Sequence, residues 1–290
     1  MHRLWKHAGK AQGSSSPRSK QFPEKGITCQ ARDVSTDNDP KIWTPKRAEE
    51  TAQQWQHLIT QVAELSAAAG RPADAVRILP VTKNQPDQVV ELLHSLGQRA
   101  FAENRVQELV RKSDLFADLG GIEWVMIGNL QRNKVRDVAR YAAAFESLDS
   151  ARVARALSQR MQALAAEGED IPEVMPSLVQ VNASGEEQKH GLSPADVPAL
   201  LEELAALPNI DVRGFMTMAP HTNDERVIRQ TFASVRNLRE ALAPQWEGRF
   251  NLEELSFGMS HDYPLAIEEG STQVRLGSII FGQRDYTLGA

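Results

Sequence analysis

Apolar positions follow two alternating rhythms from residue 46 onward. The first segment, 46–69, carries Trp55, Leu58, Ile59, Val62 and Leu65 at helical spacing and stops at Gly70. Eight compact apolar runs follow, at 76–83, 99–104, 123–129, 144–149, 177–182, 212–218, 254–260 and 273–281. Amphipathic helical patterns separate them, among them 87–96, 151–166, 194–207 and 224–242. In the first of these, Val89, Val90, Leu92, Leu93 and Leu96 precede Gly97. Strands that alternate with helices pair in parallel, each helix serving as a crossover. Eight such units match the size of a (β/α)8 barrel. The rival architecture, an open doubly wound sheet, calls for a glycine-rich turn after its first strand. Here Lys83-Asn84-Gln85-Pro86 follows, without glycine, and the barrel is the expected fold.

Ahead of this pattern the chain changes character. Residues 1–45 hold the run Ser14-Ser15-Ser16 and lack hydrophobic periodicity, and they are expected to form a disordered extension to a barrel spanning 46–290. Residues 1–25 carry six basic side chains against Glu24 alone, a charge of +5, which leaves the rest of the chain at −10 of the net −5. An organelle-targeting segment is the alternative reading of this basic start. Cytoplasm is the expected location. An acidic body argues against nucleic-acid binding, which needs a basic face. No apolar run approaches the ~18–20 residues of a membrane span. The single cysteine, Cys29, and seven scattered histidines offer no metal-ligand spacing, and no metal site is expected. Small-molecule chemistry is the remaining class.

In a barrel, chemistry belongs at the C-terminal ends of the strands. Reading off those ends gives Lys83, then Glu103-Asn104, Asn129, Ser147 and Asp149, Asn182, Thr217, Met259-Ser260, and Arg275 with Gly277 and Ser278. Lys83 follows the apolar run Ile78-Leu79-Pro80-Val81-Thr82, which sets its stem in the barrel mouth. A partly desolvated lysine is a usable amine nucleophile toward a carbonyl substrate or the aldehyde of pyridoxal phosphate. A plain strand-end lysine, salt-bridged to Glu103, is the structural alternative. The ends of the seventh and eighth runs offer small hydroxyls and backbone amides where barrels hold phosphate. Arg275 is suited to hydrogen-bond a neutral ring nitrogen and keep it unprotonated.

At these residues the chain resembles the pyridoxal phosphate homeostasis protein family, barrels similar to the N-terminal domain of alanine racemase. The matching segments are Val81-Thr82-Lys83, Phe101-Ala102-Glu103-Asn104, Ile127-Gly128-Asn129-Leu130-Gln131, Val181-Asn182 with Lys189 and Gly191, and Gly214-Phe215-Met216-Thr217-Met218. Val106-Gln107-Glu108, Asn133-Lys134, Leu255-Ser256-Phe257-Gly258-Met259-Ser260-His261-Asp262, Val274-Arg275-Leu276-Gly277-Ser278 and Ile280-Phe281-Gly282-Gln283-Arg284 complete the set. The resemblance implies a single (β/α)8 barrel of the fold type III class, without the C-terminal β-domain of the racemases. It implies pyridoxal phosphate as cofactor, held as a Schiff base on Lys83. Ser260, Gly277 and Ser278 would take the phosphate, aided by the Met259 backbone. Arg275 would face the pyridine nitrogen, and Asn104 would lie beside the ring and Lys83. Lys189 matches a second family lysine that would take part in handing the cofactor on.

The expected function is storage and delivery of pyridoxal phosphate, with cofactor-dependent apo-enzymes as partners and a monomer favoured over an obligate dimer. The alternative is a low-activity amino-acid racemase. Two-sided proton transfer needs a second acid–base group opposite Lys83, usually a tyrosine. None of Tyr141, Tyr263 and Tyr286 is an evident partner, and the chain ends within ten residues of the eighth run. A lysine aldolase acting on a phosphorylated sugar would explain Lys83 and the phosphate cradle but leaves Arg275 without a role.

Overall fold

The computed structural model describes residues 43–186 and 190–282. Residues 1–42, with Cys29, and also Lys189, Gln283, Arg284 and Tyr286 lie outside the described residues. The expectation of a disordered extension falls almost wholly outside them.

Helix α1 (Pro45–Ala68) begins where Thr44 accepts the Arg47 N–H at 3.2 Å, with Pro45 in the first turn, where a missing N–H costs nothing. Its buried stripe is Thr51, Trp55, Leu58, Val62 and Ser66, spaced by three and four residues. Ile59, which the sequence pattern assigns to that stripe, is 41% exposed. The barrel accepts one narrow seam of α1, and residue 59 lies about 100° round the helix from residue 58.

Eight strands follow: β1 (Arg77–Pro80), β2 (Ala100–Glu103), β3 (Glu123–Met126), β4 (Ala144–Leu148), β5 (Met175–Gln180), β6 (Ile210–Met216), β7 (Glu254–Ser256) and β8 (Gln273–Leu276). From β2 to β8 each pairs in parallel with the next. β8 pairs with β1 from Arg77↔Gln273 to Pro80↔Leu276. The parallel bridge Val81↔Ala102, with the Thr82 N–H donating to the Ala102 carbonyl at 3.1 Å, joins β1 to β2 and closes the ring. The fold is the single (β/α)8 barrel that the alternating pattern predicts.

The crossovers are α2 (Gln88–Ser95), α3 (Val106–Leu115), α4 (Val135–Tyr141), α5 (Ala151–Ala166), α6 (Val197–Ala205), α7 (Glu225–Trp246) and α8 (Tyr263–Glu268), with α9 (Ser278–Phe281) closing the described chain. The eighth apolar run, 273–281, is thus two elements. Gly277 (φ −132°, ψ −78°) turns the chain out of β8 and into α9. No helix among the described residues is long and apolar enough to cross a membrane.

The core has two compartments. The large one lies between strands and helices and gathers Val89, Leu93, Leu109, Val138, Leu157 and Phe232, among others. The small one is the lumen on the β1–β4 side: Leu79, Val81, Ala100, Ala102, Val125 and Ala144. Polar groups fill the opposite side of the lumen. Across the barrel, Glu146 of β4 accepts from Ser256 Oγ of β7 at 2.8 Å and from Gln273 Nε2 of β8 at 2.5 Å. Isolated buried carboxylates are costly, and these donors are what makes Glu146 tolerable there.

Candidate functional site

A cavity of about 550 Å³ opens at the C-terminal ends of the strands. It is bordered by Lys83, Asn104, Asn129, Met259, Ser260, Arg275, Gly277 and Ser278, all of them strand-end residues of the sequence reading. The other five of that polar ring turn elsewhere. Glu103 is buried beneath Lys112, Ser147 is buried behind β4, and Asp149 is outside the lining. Asn182 binds the Glu186 carbonyl, and the Thr217 hydroxyl donates to the Val181 carbonyl. Alternate residues of a strand face opposite sides, so a terminal polar residue has an even chance of facing the helices.

Lys83 stands three residues beyond β1, in a turn where the Gln85 N–H donates to the Thr82 carbonyl and Asn84 adopts φ 58°. The turn is anchored from behind. Thr82 is fully buried, and its hydroxyl donates to Glu103 Oε1 at 2.6 Å. Lys112 of α3 donates to the same carboxylate oxygen at 2.5 Å and to the Thr82 carbonyl at 2.8 Å. The Glu103 carboxylate is therefore taken up by Lys112 and Thr82. Opposite, Gly128 lies against β2: a Cβ there would sit 2.0 Å from the Asn104 carbonyl oxygen, so only glycine lets the two strand ends meet.

Arg275 forms the floor on the β8 side and is 5% exposed. It donates to the Ser256 carbonyl at 2.5 Å, to Ser256 Oγ at 2.7 Å and to the Thr217 carbonyl at 2.9 Å. Burial lowers its pKa, while Glu146 and Asp262 hold it up. Burial raises the Glu146 carboxyl, against the pull of Arg275 and the hydrogen bonds from Gln273 and Ser256. Arg275, Ser256, Gln273 and Glu146 make one connected unit below the cavity.

The rim beside Arg275 converges on Ser260. Its Oγ accepts from the Ile279 N–H at 3.2 Å and, at 3.5 Å, from the Gly277 N–H. Two amides thus aim at one oxygen, the arrangement that suits an anion's oxygen. Gly258, at φ +97°, allows the approach to this rim: an added Cβ would lie 2.7 Å from the Ala266 side chain. Met259, whose backbone is expected to help hold a phosphate, borders the cavity, and its N–H donates to Asp262 Oδ1 at 2.5 Å. Asp262 needs that bond because its side chain is fully buried, and burial raises its carboxyl pKa.

Several residues of the site were not singled out by sequence reasoning. Glu146 was legible as the one charge in the buried run Ala144–Leu148. Lys112 gives no such signal, being one more basic residue in an exposed-looking helix. His261 and Asp262 sit inside a matched segment, and His190 borders the cavity from the loop after β5. Of the tyrosines, Tyr263 is buried with its hydroxyl donating to Gln61 at 2.8 Å, and Tyr141 ends α4; neither borders the cavity. Among the described residues no group of three or more His, Cys, Asp or Glu could hold a metal ion.

A closed eight-stranded barrel with a lysine, a buried arginine and an amide-lined rim at one mouth defines a class, and the comparisons agree with it. The family model described as alanine racemase, N-terminal domain, matches residues 50–285. The pyridoxal phosphate homeostasis protein of Aquifex aeolicus is 35% identical over 229 residues, 79% of this chain and 96% of that protein. Its human counterpart is 37% identical over 232 residues, 76% of this chain and 82% of that one. The solved structure of PipY from Synechococcus elongatus with pyridoxal phosphate bound superposes with a TM-score of 0.65 at 32% identity, covering 76% of this chain and 100% of that chain. The chain belongs to the pyridoxal phosphate homeostasis proteins, within the alanine racemase N-terminal-domain family.

Proposed function

We propose that this chain binds pyridoxal phosphate through Lys83 and acts in storing and delivering the cofactor. The observation that carries the reading is the convergence of Lys83, Arg275 and the Ser260–Gly277–Ser278 rim on one cavity. Its volume lies within the ~300–1,000 Å³ common for small-ligand sites. The residues fit the group: an amine for its aldehyde, two amides aimed at one oxygen for its phosphate, and a buried guanidinium for its ring. When bound, the group supplies an aldehyde that an amine can hold covalently and release again.

Each residue then has a task of its own. Lys83 supplies the amine, on a turn fixed by Thr82, Glu103 and Lys112. Ser260, Gly277 and Ser278 take the phosphate, with Met259 shaping the turn that presents Ser260 rather than donating its amide. Arg275 lies toward the ring nitrogen and, being a cation, keeps that nitrogen unprotonated, which weakens the ring as an electron sink. Asn104 flanks Lys83. A site built this way favours holding over turnover, and the hydroxyl of Tyr263, committed to Gln61, is not placed to serve as a second acid–base group. Cofactor-dependent apo-enzymes are the proposed recipients, and the proposed acting species is a monomer.

The test is direct. The protein is mixed with pyridoxal phosphate, its visible spectrum is recorded, and borohydride-fixed label is located by peptide mass spectrometry. Label confined to Lys83 and lost in Lys83→Ala is the expected result. Label scattered over surface lysines would overturn the reading, and robust racemisation of amino acids by the loaded protein would overturn the carrier role.

A further inference from the structure

We propose that His261 is a phosphate-recognition residue of this cavity, binding the cofactor's phosphate group only as the imidazolium and so making retention of phosphorylated ligands pH-dependent. The inference rests on the cofactor reading above and adds a residue to it.

The starting point is charge. A phosphate monoester near neutral pH carries about −1.5 to −2. Among the described residues bordering the cavity, the lysine and arginine side chains are Lys83, assigned to the aldehyde, and Arg275. Arg275 is turned down into the floor, where it donates to Ser256 and Thr217. Among the described residues, neutral amides and hydroxyls would face the phosphate at the Ser260 rim. The remaining titratable groups among the described residues bordering the cavity are His190 and His261, and His261 follows Ser260 directly in the chain.

His261 is also built in, as a stray surface histidine is not. Its Nε2 lies 3.1 Å from Asp262 Oδ2, on a carboxylate whose side chain is fully buried. The contact is a charge-to-ring approach and not an aligned hydrogen bond, since that oxygen has no hydrogen-bond partner among the described residues. The other carboxylate oxygen is fixed by the Met259 N–H. The His221 ring, from the loop after β6, stands edge-on to His261 at 5.2 Å between centroids and limits its swing.

This geometry fixes how the ring responds to protons. The negative charge beside Nε2 favours a proton on that nitrogen by proximity alone, leaving Nδ1 as the nitrogen away from the carboxylate. Neutral, the ring offers a lone pair at Nδ1, which repels a phosphate oxygen. Protonated, Nδ1 becomes a donor carrying charge, and such bonds are the strong ones. The charged and titratable groups facing it are Asp262 in its own segment, His221 after β6, His190 after β5, Arg275 on β8, which acts on Asp262, and Lys83 across the cavity.

The experiment compares wild type with His261→Gln. Affinities for pyridoxal phosphate and for pyridoxal are measured at about pH 6 and about pH 8, on either side of the imidazole range. The ratio of the two affinities removes the pH dependence of Lys83, which both ligands share. In wild type the preference for the phosphorylated ligand falls about tenfold between these values, the order expected for one charge-assisted hydrogen bond. In His261→Gln it does not fall. Ionisation of the phosphate itself runs the other way, since the dianion binds amides better, and cannot imitate the effect. Imidazole NMR adds a covalency-free readout: inorganic phosphate raises the His261 titration midpoint. An identical fall in the variant, or a His261 midpoint indifferent to phosphate, would overturn the inference while borohydride label at Lys83 leaves the cofactor reading standing. Absence of label at Lys83 in wild type removes both.

Discussion

Replacing Lys112 with methionine tests the least expected feature of the site, the buried ion pair behind Lys83. The Lys112 and Glu103 side chains are 1% and 0% exposed. Methionine keeps much of the apolar stem, so packing changes little and the loss is electrostatic. It strips Glu103 Oε1 and the Thr82 carbonyl of donors at 2.5 and 2.8 Å, leaving the carboxylate with the Thr82 hydroxyl alone. The second carboxylate oxygen, Oε2, already has no partner among the described residues. Orphaning one member of a buried pair costs about 3–5 kcal/mol. That is a large share of the ~5–15 kcal/mol that holds a typical domain together. Removing the orphaned charge as well, in Lys112→Met/Glu103→Leu, recovers at least about 2 kcal/mol, because only the Thr82 hydroxyl remains unmet while the Thr82 carbonyl keeps the Gln85 N–H. Urea unfolding near neutral pH, followed by tryptophan fluorescence and circular dichroism, measures both. A single variant costing under about 1 kcal/mol, or a double variant no better than the single, would refute the reasoning.

Three further outcomes follow from the same structure. Burial raises the Glu123 carboxyl to about 7 from 4.5, so between those values the folded protein holds more protons than the unfolded chain, and stability is full below 4.5 and declines as pH rises to about 7. With solvent screening of this half-buried group allowed for, Glu123→Gln should be more stable than wild type at alkaline pH by about 1–2 kcal/mol and show no such decline; equal unfolding curves at pH 5 and pH 8 in wild type would contradict it. In Glu146→Gln an amide must turn its NH2 toward either Ser256 Oγ or Gln273 Nε2, both of which now donate to the carboxylate, at a cost of about 1–3 kcal/mol by urea unfolding; a neutral substitution would mean that these two donors do not stabilise the carboxylate. Ser260→Ala removes the hydroxyl that would donate to the phosphate and that aligns the Gly277 and Ile279 amides, and should weaken pyridoxal phosphate about tenfold while leaving pyridoxal unchanged in equilibrium titrations. Equal losses for both ligands would place the phosphate elsewhere.

What could be read from the chain, and what could not, divides along physical lines. The strands were legible because each is a short buried run, and Lys83 and Arg275 because a cation at the end of such a run is conspicuous. The short helices α4, α8 and α9, of 7, 6 and 4 residues, escaped because so few turns carry no measurable period. The eighth run looked like one strand since Ile279, Ile280 and Phe281 continue its apolar character past Gly277. The polar floor escaped for a different reason. Glu146 finds Ser256 and Gln273 at 110 and 127 residues' distance, so nothing local announces that its charge is satisfied. That the Met259 amide donates to Asp262 was not legible either, because the turn that brings the two together has no signature in the sequence.

The closure of the barrel explains why the proposed amine and the proposed phosphate cradle can act on one small molecule. Lys83 extends β1, and Gly277 and Ser278 extend β8. These two strands are neighbours, paired from Arg77↔Gln273 to Pro80↔Leu276, and the Val81 N–H carries the ladder on to the Leu276 carbonyl at 2.7 Å. The last bond of that ladder therefore lies one residue short of Gly277 and two short of Lys83. The span between the two groups is set by a hydrogen-bonded register, which cannot slip by one residue without turning every side chain to the other face. Arg275 is in that register too, opposite Leu79. Loops could then vary around the mouth, changing which amines reach Lys83, while the distance from amine to cradle stays that of two adjacent strands.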